Sequence, residues 1–483
     1  MTLNQNRTPL FDAVKQHVTR NAIPLQIPGH KHGYGLEEYK EFVGENVLRM
    51  DLNETRGIDM LWDPVAVIAE AEKLLADSLG AKHAYFLING TTSGMQAMIM
   101  STCTPGDQII LPRNAHKSVF NGLILSGANP IYVQPEIDDY LGIVTGITAS
   151  GVQAAIEKNP GAKAVMAINP SYYGVATELK AIVETAHGSC IPVLVDEAHG
   201  THMCFHPYFP ISAMVAGADM SAASLHKTGG SLTQSSALLV GSSKINPNYI
   251  KQVLNLTYTS SPSYILLCSL DVARKQLATR GRQMLDGILD MVQRTRAEIN
   301  KLDGLFAPDK KYFERSGKFS FDETKLLVNV QKLGLTGYEV EEILAKDFNI
   351  LIELADMYNI LAVISLGERE EFLQAFVDAL KDISAHGKRK TVKKIETIQF
   401  SPEVVMPPRD AFFSKKRSMP LEQCAGEIAG EMVMVYPPGI PLVSIGEIIT
   451  AEIIDYVRML KAERCTIQGT IDPIVDNIMV LDK

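Results

Sequence analysis

The clearest pattern in the chain lies between residues 65 and 250, where short apolar runs alternate with segments of helical periodicity. The apolar runs predict six strands, at 84–88, 108–111, 130–133, 164–168, 193–195 and 237–240. The periodic segments predict helices at 64–79, 93–103, 116–125, 151–158 and 179–186, the first closed by Gly80. Uniformly apolar strands separated by helices predict an α/β fold whose mostly parallel sheet is covered on both faces.

The remaining sequence predicts smaller, mixed regions on either side of this one. Helical spacing appears at 11–18 and again at 263–302, and strands at 326–330 and 361–365 alternate with helices at 337–348 and 370–383. The basic run 388–394 is typical of an exposed linker. Two prolines and a glycine within 435–442 predict an extended, rigid loop. We therefore expect an N-terminal arm (1–60), a large domain (61–300), a small α+β domain (301–390) and a C-terminal domain (391–483).

Composition narrows the class of protein. Of 483 residues, 46% are apolar and the formal net charge is −9, which argues against a nucleic-acid or anionic-membrane binder. The six cysteines are scattered singly, so neither a disulfide framework nor a metal site is predicted. No apolar run approaches the roughly 18 residues that would span a bilayer, and the N-terminus lacks a signal-peptide core. These features predict a cytoplasmic protein that binds neither membrane nor nucleic acid.

A candidate phosphate site follows the strand at 84–88. Gly90, Thr91, Thr92 and Ser93 form a glycine- and hydroxyl-rich turn that opens a helix. Backbone N–H groups, hydroxyls and the positive end of the helix dipole all suit a phosphate. Taken alone, an ordinary Thr/Ser helix cap is the more common meaning of this pattern.

Three further side chains follow predicted strands. His116 comes after the strand at 108–111, where a flat ring could stack on an aromatic cofactor. Asp196 ends a buried strand, and His199 follows one helical turn later. Lys227 lies in a polar turn bounded by Gly229. A lysine and an aspartate so placed suit pyridoxal 5'-phosphate (PLP), the lysine as its Schiff base and the aspartate at its ring nitrogen. Each signal alone has a structural explanation, but their order and spacing together point to this cofactor.

These motifs resemble those of the aspartate aminotransferase-like (fold-type I) PLP enzymes. Within that group the chain is similar to the ornithine/lysine/arginine decarboxylases, in the short form that lacks an N-terminal wing domain. The matching motifs are Pro-Gly-His-Lys at 28–31, Gly-Thr-Thr-Ser at 90–93, Arg-Asn-Ala-His-Lys-Ser at 113–118, Asn-Pro-Ser-Tyr-Tyr-Gly at 169–174, Asp-Glu-Ala-His-Gly at 196–200, Ser-Leu-His-Lys at 224–227, Thr-Ser-Ser-Pro-Ser-Tyr at 259–264 and Tyr-Pro-Pro-Gly-Ile-Pro at 436–441. The first and last are specific to these decarboxylases.

The resemblance implies a role for each matching residue. The large domain would bind PLP, with Lys227 as the Schiff-base lysine, Asp196 as the partner of the ring nitrogen and His116 as the stacking residue. The remaining cofactor contacts would come from Gly90, Thr91, Thr92, Ser93, His199, Ser224 and His226. Ser260 or Ser261 would reach the cofactor of a second subunit, which makes a homodimer the minimal active unit. Glu447 matches a family glutamate near the substrate.

The resemblance also implies a basic amino acid as substrate and a place in polyamine biosynthesis. Arginine, giving agmatine, is favoured over lysine or ornithine because the overall pattern looks most like the short bacterial members. Two segments, 59–64 and 444–447, depart from the family pattern. An acidic residue of 51–63 or Glu447 is the candidate for binding the far end of the substrate. A fold-type I aminotransferase or lyase, or a non-catalytic relative, remains the alternative.

Overall fold

The computed structural model describes residues 3–386, 400–436, 440–463 and 465–482. The chain divides into two interleaved compact units. Unit 1 comprises Met1–Ser101, Leu194–Asp286 and Ser365–Gly367, and unit 2 comprises Thr102–Val193, Gly287–Ile364 and Glu368–Lys483. The predicted division into four domains stays a prediction, and the basic run 388–394 lies outside the described residues.

Helices are present in both units. The α-helices in the described residues are α1 (Pro9–Thr19), α2 (Glu37–Val43), α3 (Glu45–Met50), α4 (Val67–Leu79), α5 (Gly90–Thr102), α6 (Lys117–Ser126), α7 (Ala149–Lys158), α8 (Leu179–Gly188), α9 (Ala213–Ala216), α10 (Leu225–Thr228), α11 (Pro247–Asn255), α12 (Tyr264–Ile299), α13 (Lys310–Glu314), α14 (Gly337–Asp347), α15 (Glu370–His386), α16 (Pro408–Phe413) and α17 (Ala451–Ala462).

The strands are mostly short and buried. They are β1 (His83–Leu87), β2 (Gln108–Pro112), β3 (Asn129–Val133), β4 (Glu136–Asp138), β5 (Ile143–Gly146), β6 (Ala164–Ile168), β7 (Val175–Ala176), β8 (Val193–Asp196), β9 (Met220–Ala223), β10 (Ser236–Val240), β11 (Ser320–Phe321), β12 (Lys325–Asn329), β13 (Leu354–Ala355), β14 (Asn359–Val363), β15 (Lys416–Pro420), β16 (Val433–Tyr436), β17 (Ile440–Val443), β18 (Thr466–Gln468) and β19 (Asn477–Leu481).

In unit 1 the strand order is β1-β10-β9-β8. Strand β9 pairs in parallel with β8 and antiparallel with β10, which is itself antiparallel to β1. An apolar core formed by α1, α4, β1, β10 and the start of α12 covers one side of these strands. The sequence prediction missed β9, because Met-Ser-Ala-Ala lacks the bulky apolar run that marks the other strands.

In unit 2 the strands β6-β2-β3 are parallel neighbours. Three antiparallel strands, β12-β14-β13, pack with α14 and α15 around a second core. A third core lies around β16, β17 and α17. The predicted rigid loop falls partly here: β16 and β17 pair antiparallel, and residues 437–439 between them lie outside the described residues. The α/β prediction is confirmed, with smaller antiparallel sheets in the C-terminal half.

The boundary of one helix differs from the prediction for a clear physical reason. The helix predicted from residue 64 begins at Val67. The Asp59 carboxylate accepts hydrogen bonds from the backbone N–H groups of Val65 and Ala66, at 3.1 and 2.7 Å, and from that of Ile68 at 3.1 Å. These contacts hold the preceding residues in a turn around the carboxylate and satisfy donors that a helix start leaves unpaired.

Candidate active site

Lys227 lies on α10, a single helical turn that directly follows β9. Its Nζ lies 3.0 Å from Nε2 of His199, which follows β8 in the same unit. Because β8 and β9 are parallel neighbours, the segments that follow their carboxyl ends meet at one edge of the sheet. The structure thus brings together two predicted residues that are 28 positions apart.

Asp196 is the last residue of β8 and is buried. One of its carboxylate oxygens accepts the backbone N–H of Ala198 at 3.1 Å. The next residue, Glu197, accepts the backbone N–H of Ala213 at 2.7 Å and the hydroxyl of Ser221 at 3.2 Å. Burial raises the pKa of Glu197 to about 8. Two adjacent carboxyl groups are therefore held at the end of one buried strand, in different surroundings.

The predicted phosphate turn is the first turn of α5. Gly90 opens it with a φ of +68°, a conformation that glycine adopts readily. Thr91 shares a hydrogen bond with the hydroxyl of Ser224 and donates one at 3.0 Å to that of Ser236. Ser93 donates its hydroxyl to the backbone oxygen of Gly90 at 2.9 Å. The structure therefore gathers three buried hydroxyls beside the start of a thirteen-residue helix, which suits a phosphate dianion.

The close approach of α5 to the sheet depends on Gly94. A Cβ at this position would lie 2.9 Å from side-chain carbons of Leu87 on β1 and Ala222 on β9. A larger residue would push the helix start away from the sheet. The sequence analysis assigned Gly94 no role.

His226 is half-buried and is bonded through Nδ1 to the backbone oxygen of Ser235 at 2.8 Å. Burial lowers the pKa of this imidazole, and the nearby Lys227 lowers it further. Because a carbonyl oxygen only accepts hydrogen bonds, Nδ1 carries a proton and donates it to Ser235. Ser235 and Ser236 were missed by the sequence analysis. A pattern that could have identified them is the pair of adjacent serines directly before the apolar run at 237–240.

Four further predicted residues have contacts and exposures of their own. His116 is exposed and caps α6 in unit 2, its Nδ1 accepting the backbone N–H of Ser118 at 3.2 Å. Ser260 and Ser261 are exposed on the segment between α11 and α12 of unit 1. Glu447, in unit 2, is 1% exposed and pairs with Arg113, an ion pair that the sequence analysis missed. The roles predicted for these four residues stay predictions.

The residues of unit 1 fit PLP on their own chemistry. A lysine contacts a histidine, a carboxylate ends the adjacent strand, and three hydroxyls surround a helix N-terminus. The described part of the chain contains no group of three or more histidine, cysteine or acidic side chains able to hold a metal ion. Within the same residues, no helix is both long and apolar enough to cross a membrane.

Comparison with known proteins adds independent information. A family model described as "Orn/Lys/Arg decarboxylase, major domain" matches residues 8–314, and the model of its C-terminal domain matches 390–469. The chain is 44% identical to arginine decarboxylase of Bacillus anthracis and 43% identical to that of Bacillus subtilis, covering 99% of this chain and 98% and 99% of those proteins. Its fold is similar to that of a Francisella novicida lysine decarboxylase (TM-score 0.83, 21% identity, 98% of this chain and 81% of that one).

Proposed function

The chain belongs to the Orn/Lys/Arg decarboxylase family, and we propose that it converts L-arginine to agmatine and CO2 with PLP as cofactor. The observation that carries the cofactor proposal is the Lys227–His199 contact at the end of the strand that carries Asp196. The substrate proposal is supported by relatives that are named arginine decarboxylase and align with this chain over nearly its full length.

Lys227 is proposed as the residue that holds PLP. Its amine needs to lose a proton to react with a carbonyl, and the imidazole of His199, 3.0 Å from Nζ, is placed to exchange that proton. Bound PLP would supply an electron sink for the pair released when the bond between Cα and the carboxylate breaks. Lys227 or His199 would then return a proton to Cα.

Asp196 is proposed to hold the positive charge of the cofactor ring. Its position at the end of a buried strand keeps water away, which strengthens an ion pair formed there. Gly90, Thr91, Thr92, Ser93, Ser224 and His226 are proposed to bind the phosphate. His116 is proposed as the stacking residue on the strength of the family resemblance and its place after β2.

We also propose that the enzyme is a cytoplasmic homodimer acting in polyamine biosynthesis. Ser260 and Ser261 are exposed on a loop, as a contact with a second subunit requires. Hybrid dimers provide the test. A K227A subunit mixed with an S260A/S261A subunit should regain part of the activity, because one of the two sites would then carry every native residue. No recovery in a mixture shown to contain hybrids would contradict a shared site.

The substrate test uses the purified protein loaded with PLP and incubated separately with arginine, lysine and ornithine. We expect agmatine from arginine at a rate well above those of cadaverine from lysine and putrescine from ornithine. Faster release of cadaverine or putrescine would mean that lysine or ornithine, rather than arginine, is the preferred substrate. Formation of a keto acid without CO2 from all three would favour the aminotransferase alternative.

A further inference from the structure

Arg113 and Glu447 form an ion pair inside unit 2. One guanidinium nitrogen of Arg113 donates to Oε2 of Glu447 at 2.8 Å, and the other donates to Oε1. The two side chains are 4% and 1% exposed. Two parallel hydrogen bonds between a planar guanidinium and a carboxylate fix the orientation of both groups.

Further contacts hold this pair on two sides. The guanidinium lies 4.5 Å from the ring centre of Tyr132 on β3 and donates to the backbone oxygen of Leu442 on β17 at 3.3 Å. Oε2 of Glu447 also accepts the backbone N–H of Ser444 at 2.7 Å. Burial lowers the pKa of Arg113, but the hydrogen bond to Glu447, the charge of Glu447 and the contact with Tyr132 together outweigh that effect and raise it. Arg113 therefore stays charged beside the carboxylate of Glu447.

Arg113 begins the short turn that carries His116. Its backbone N–H bonds to Val133 at 3.0 Å, and that of Ala115 bonds to Pro112 at 3.2 Å. His116 then caps α6. Because only two residues separate Arg113 from His116, the same short turn carries both the guanidinium and the imidazole.

A carboxylate that recognises a cationic substrate must offer oxygen lone pairs to it. Glu447 instead directs both oxygens to Arg113 and one also to Ser444. We infer that Glu447 is a positioning residue that fixes Arg113, and through it the turn bearing His116, rather than a residue that contacts the substrate. This inference rests on the proposed function, because His116 is the proposed stacking residue.

The test compares E447Q, R113Q and the double variant by three measurements: the apparent affinity for PLP, the visible circular dichroism of the bound cofactor, and KM for arginine at saturating PLP. We expect each single variant to weaken PLP affinity by about tenfold or more and to change the dichroism, since small displacements of a supporting residue have effects of this size. The double variant should be no worse than the worse single one, because the two residues act as one unit. KM should change less than the PLP affinity.

A matched control is the pair Arg296–Glu323, also buried in unit 2, with 4% of each side chain exposed. E323Q should lower the melting temperature of the apoenzyme while leaving PLP affinity unchanged. Should E447Q fail to fold, E447D keeps the charge but shortens the side chain and should weaken PLP affinity in the same direction.

Two results would overturn the inference. One is an E447Q enzyme whose KM for arginine rises tenfold while PLP affinity and dichroism stay those of the wild type. The other is unchanged PLP affinity in both single variants. A failure of the proposed function is distinguishable from either result, because the wild-type protein itself would then show no cofactor dichroism or release no agmatine from arginine.

Discussion

The regions around Lys227 and Asp59 both belong to unit 1, yet they use polar groups in opposite ways. The Asp59 carboxylate is 7% exposed and bonds to backbone N–H groups at residues 60, 65, 66, 68 and 69. Around Lys227 several of the described contacts join two side chains, as between Lys227 and His199 or Thr91 and Ser224. Backbone donors are fixed by the fold, whereas hydroxyls and amines can turn toward a ligand. The first arrangement is typical of a structural cap and the second of a binding site.

This difference bears on the acidic residues of 51–63, which are candidates for binding the far end of the substrate. Asp59 caps α4, Asp63 pairs with Lys251 at 2.5 Å, and Glu54 accepts the indole N–H of Trp62 at 2.7 Å. Each of these carboxylates is held by a group of its own unit. Their role in substrate binding stays a prediction that the variants below can test.

The largest expected effect is that of K227A. Turnover of arginine should fall by about 10³-fold or more, the scale on which a covalent catalytic residue is lost. The absorbance of the bound imine should disappear, because no amine remains at this position to form it. Visible absorbance and steady-state rates provide the measurement. K82A, which removes an exposed lysine of the same unit, is the control and should behave as wild type. Normal turnover by K227A would show that Lys227 is not the residue that holds PLP.

The next largest effect is expected of D196N, which keeps the shape of the side chain and removes its charge. We expect kcat to fall by about 10²–10³-fold, the usual cost of losing one preorganised electrostatic contact. E197Q is a matched control at the next position. Because the pKa of Glu197 is raised to about 8, its side chain is mostly protonated at neutral pH and resembles glutamine. A kcat for D196N within threefold of the E197Q value would argue against contact with the cofactor ring.

The sequence predicted the parallel strands and the Lys227 neighbourhood because both depend on local pattern. Apolar runs marked β2, β3 and β6, and the family motifs marked Lys227 and Asp196. Strand β9 was missed because small residues fill it. The Asp59 cap was missed because its bonds to α4 and the turn before it reach six to ten positions ahead.

Contacts between residues far apart in the chain also could not be predicted from the sequence. Arg113 and Glu447 are 334 positions apart, and no periodicity links them. Both residues were quoted within motifs, but only Glu447 was given a role. Pairing partners of buried charges depend on how the chain folds back on itself, which a single sequence does not specify.

For the Asp59 region we expect a loss of stability rather than of catalysis. D59A leaves several N–H groups at the start of α4 without their acceptor, so the free energy of unfolding should fall by about 2–3 kcal/mol. The urea midpoint of the apoenzyme provides the measurement. D63A, which breaks the exposed pair with Lys251, should cost less than about 1 kcal/mol. A raised KM for arginine in D59A without loss of stability would instead place Asp59 at the substrate.

The smallest expected effect concerns Glu72, a buried carboxyl on the helix that Asp59 caps. Its carboxyl accepts the backbone N–H of Phe86 at 2.9 Å. Burial raises the pKa of Glu72 from 4.5 to about 8, and the nearby charge of Asp59 adds to the increase. Between these two pH values the folded protein keeps a proton that the unfolded chain has lost. The contribution of Glu72 to stability is therefore complete below pH 4.5 and is lost as the pH rises through 8.

A glutamine at position 72 cannot lose a proton. The free energy of unfolding of E72Q should therefore lack the decline with rising pH that Glu72 causes in the wild type. Relative to wild type, the free energy of unfolding of E72Q should rise by roughly 1 kcal/mol per pH unit between pH 5.5 and 7.5. Urea unfolding at both pH values provides the measurement, and E184Q, at an exposed glutamate, should follow the wild-type curve. Parallel curves for E72Q and wild type would mean that Glu72 is ionised in the folded protein. The D59N variant then sharpens the comparison, because loss of the Asp59 charge should lower the pKa of Glu72 and move the decline to lower pH.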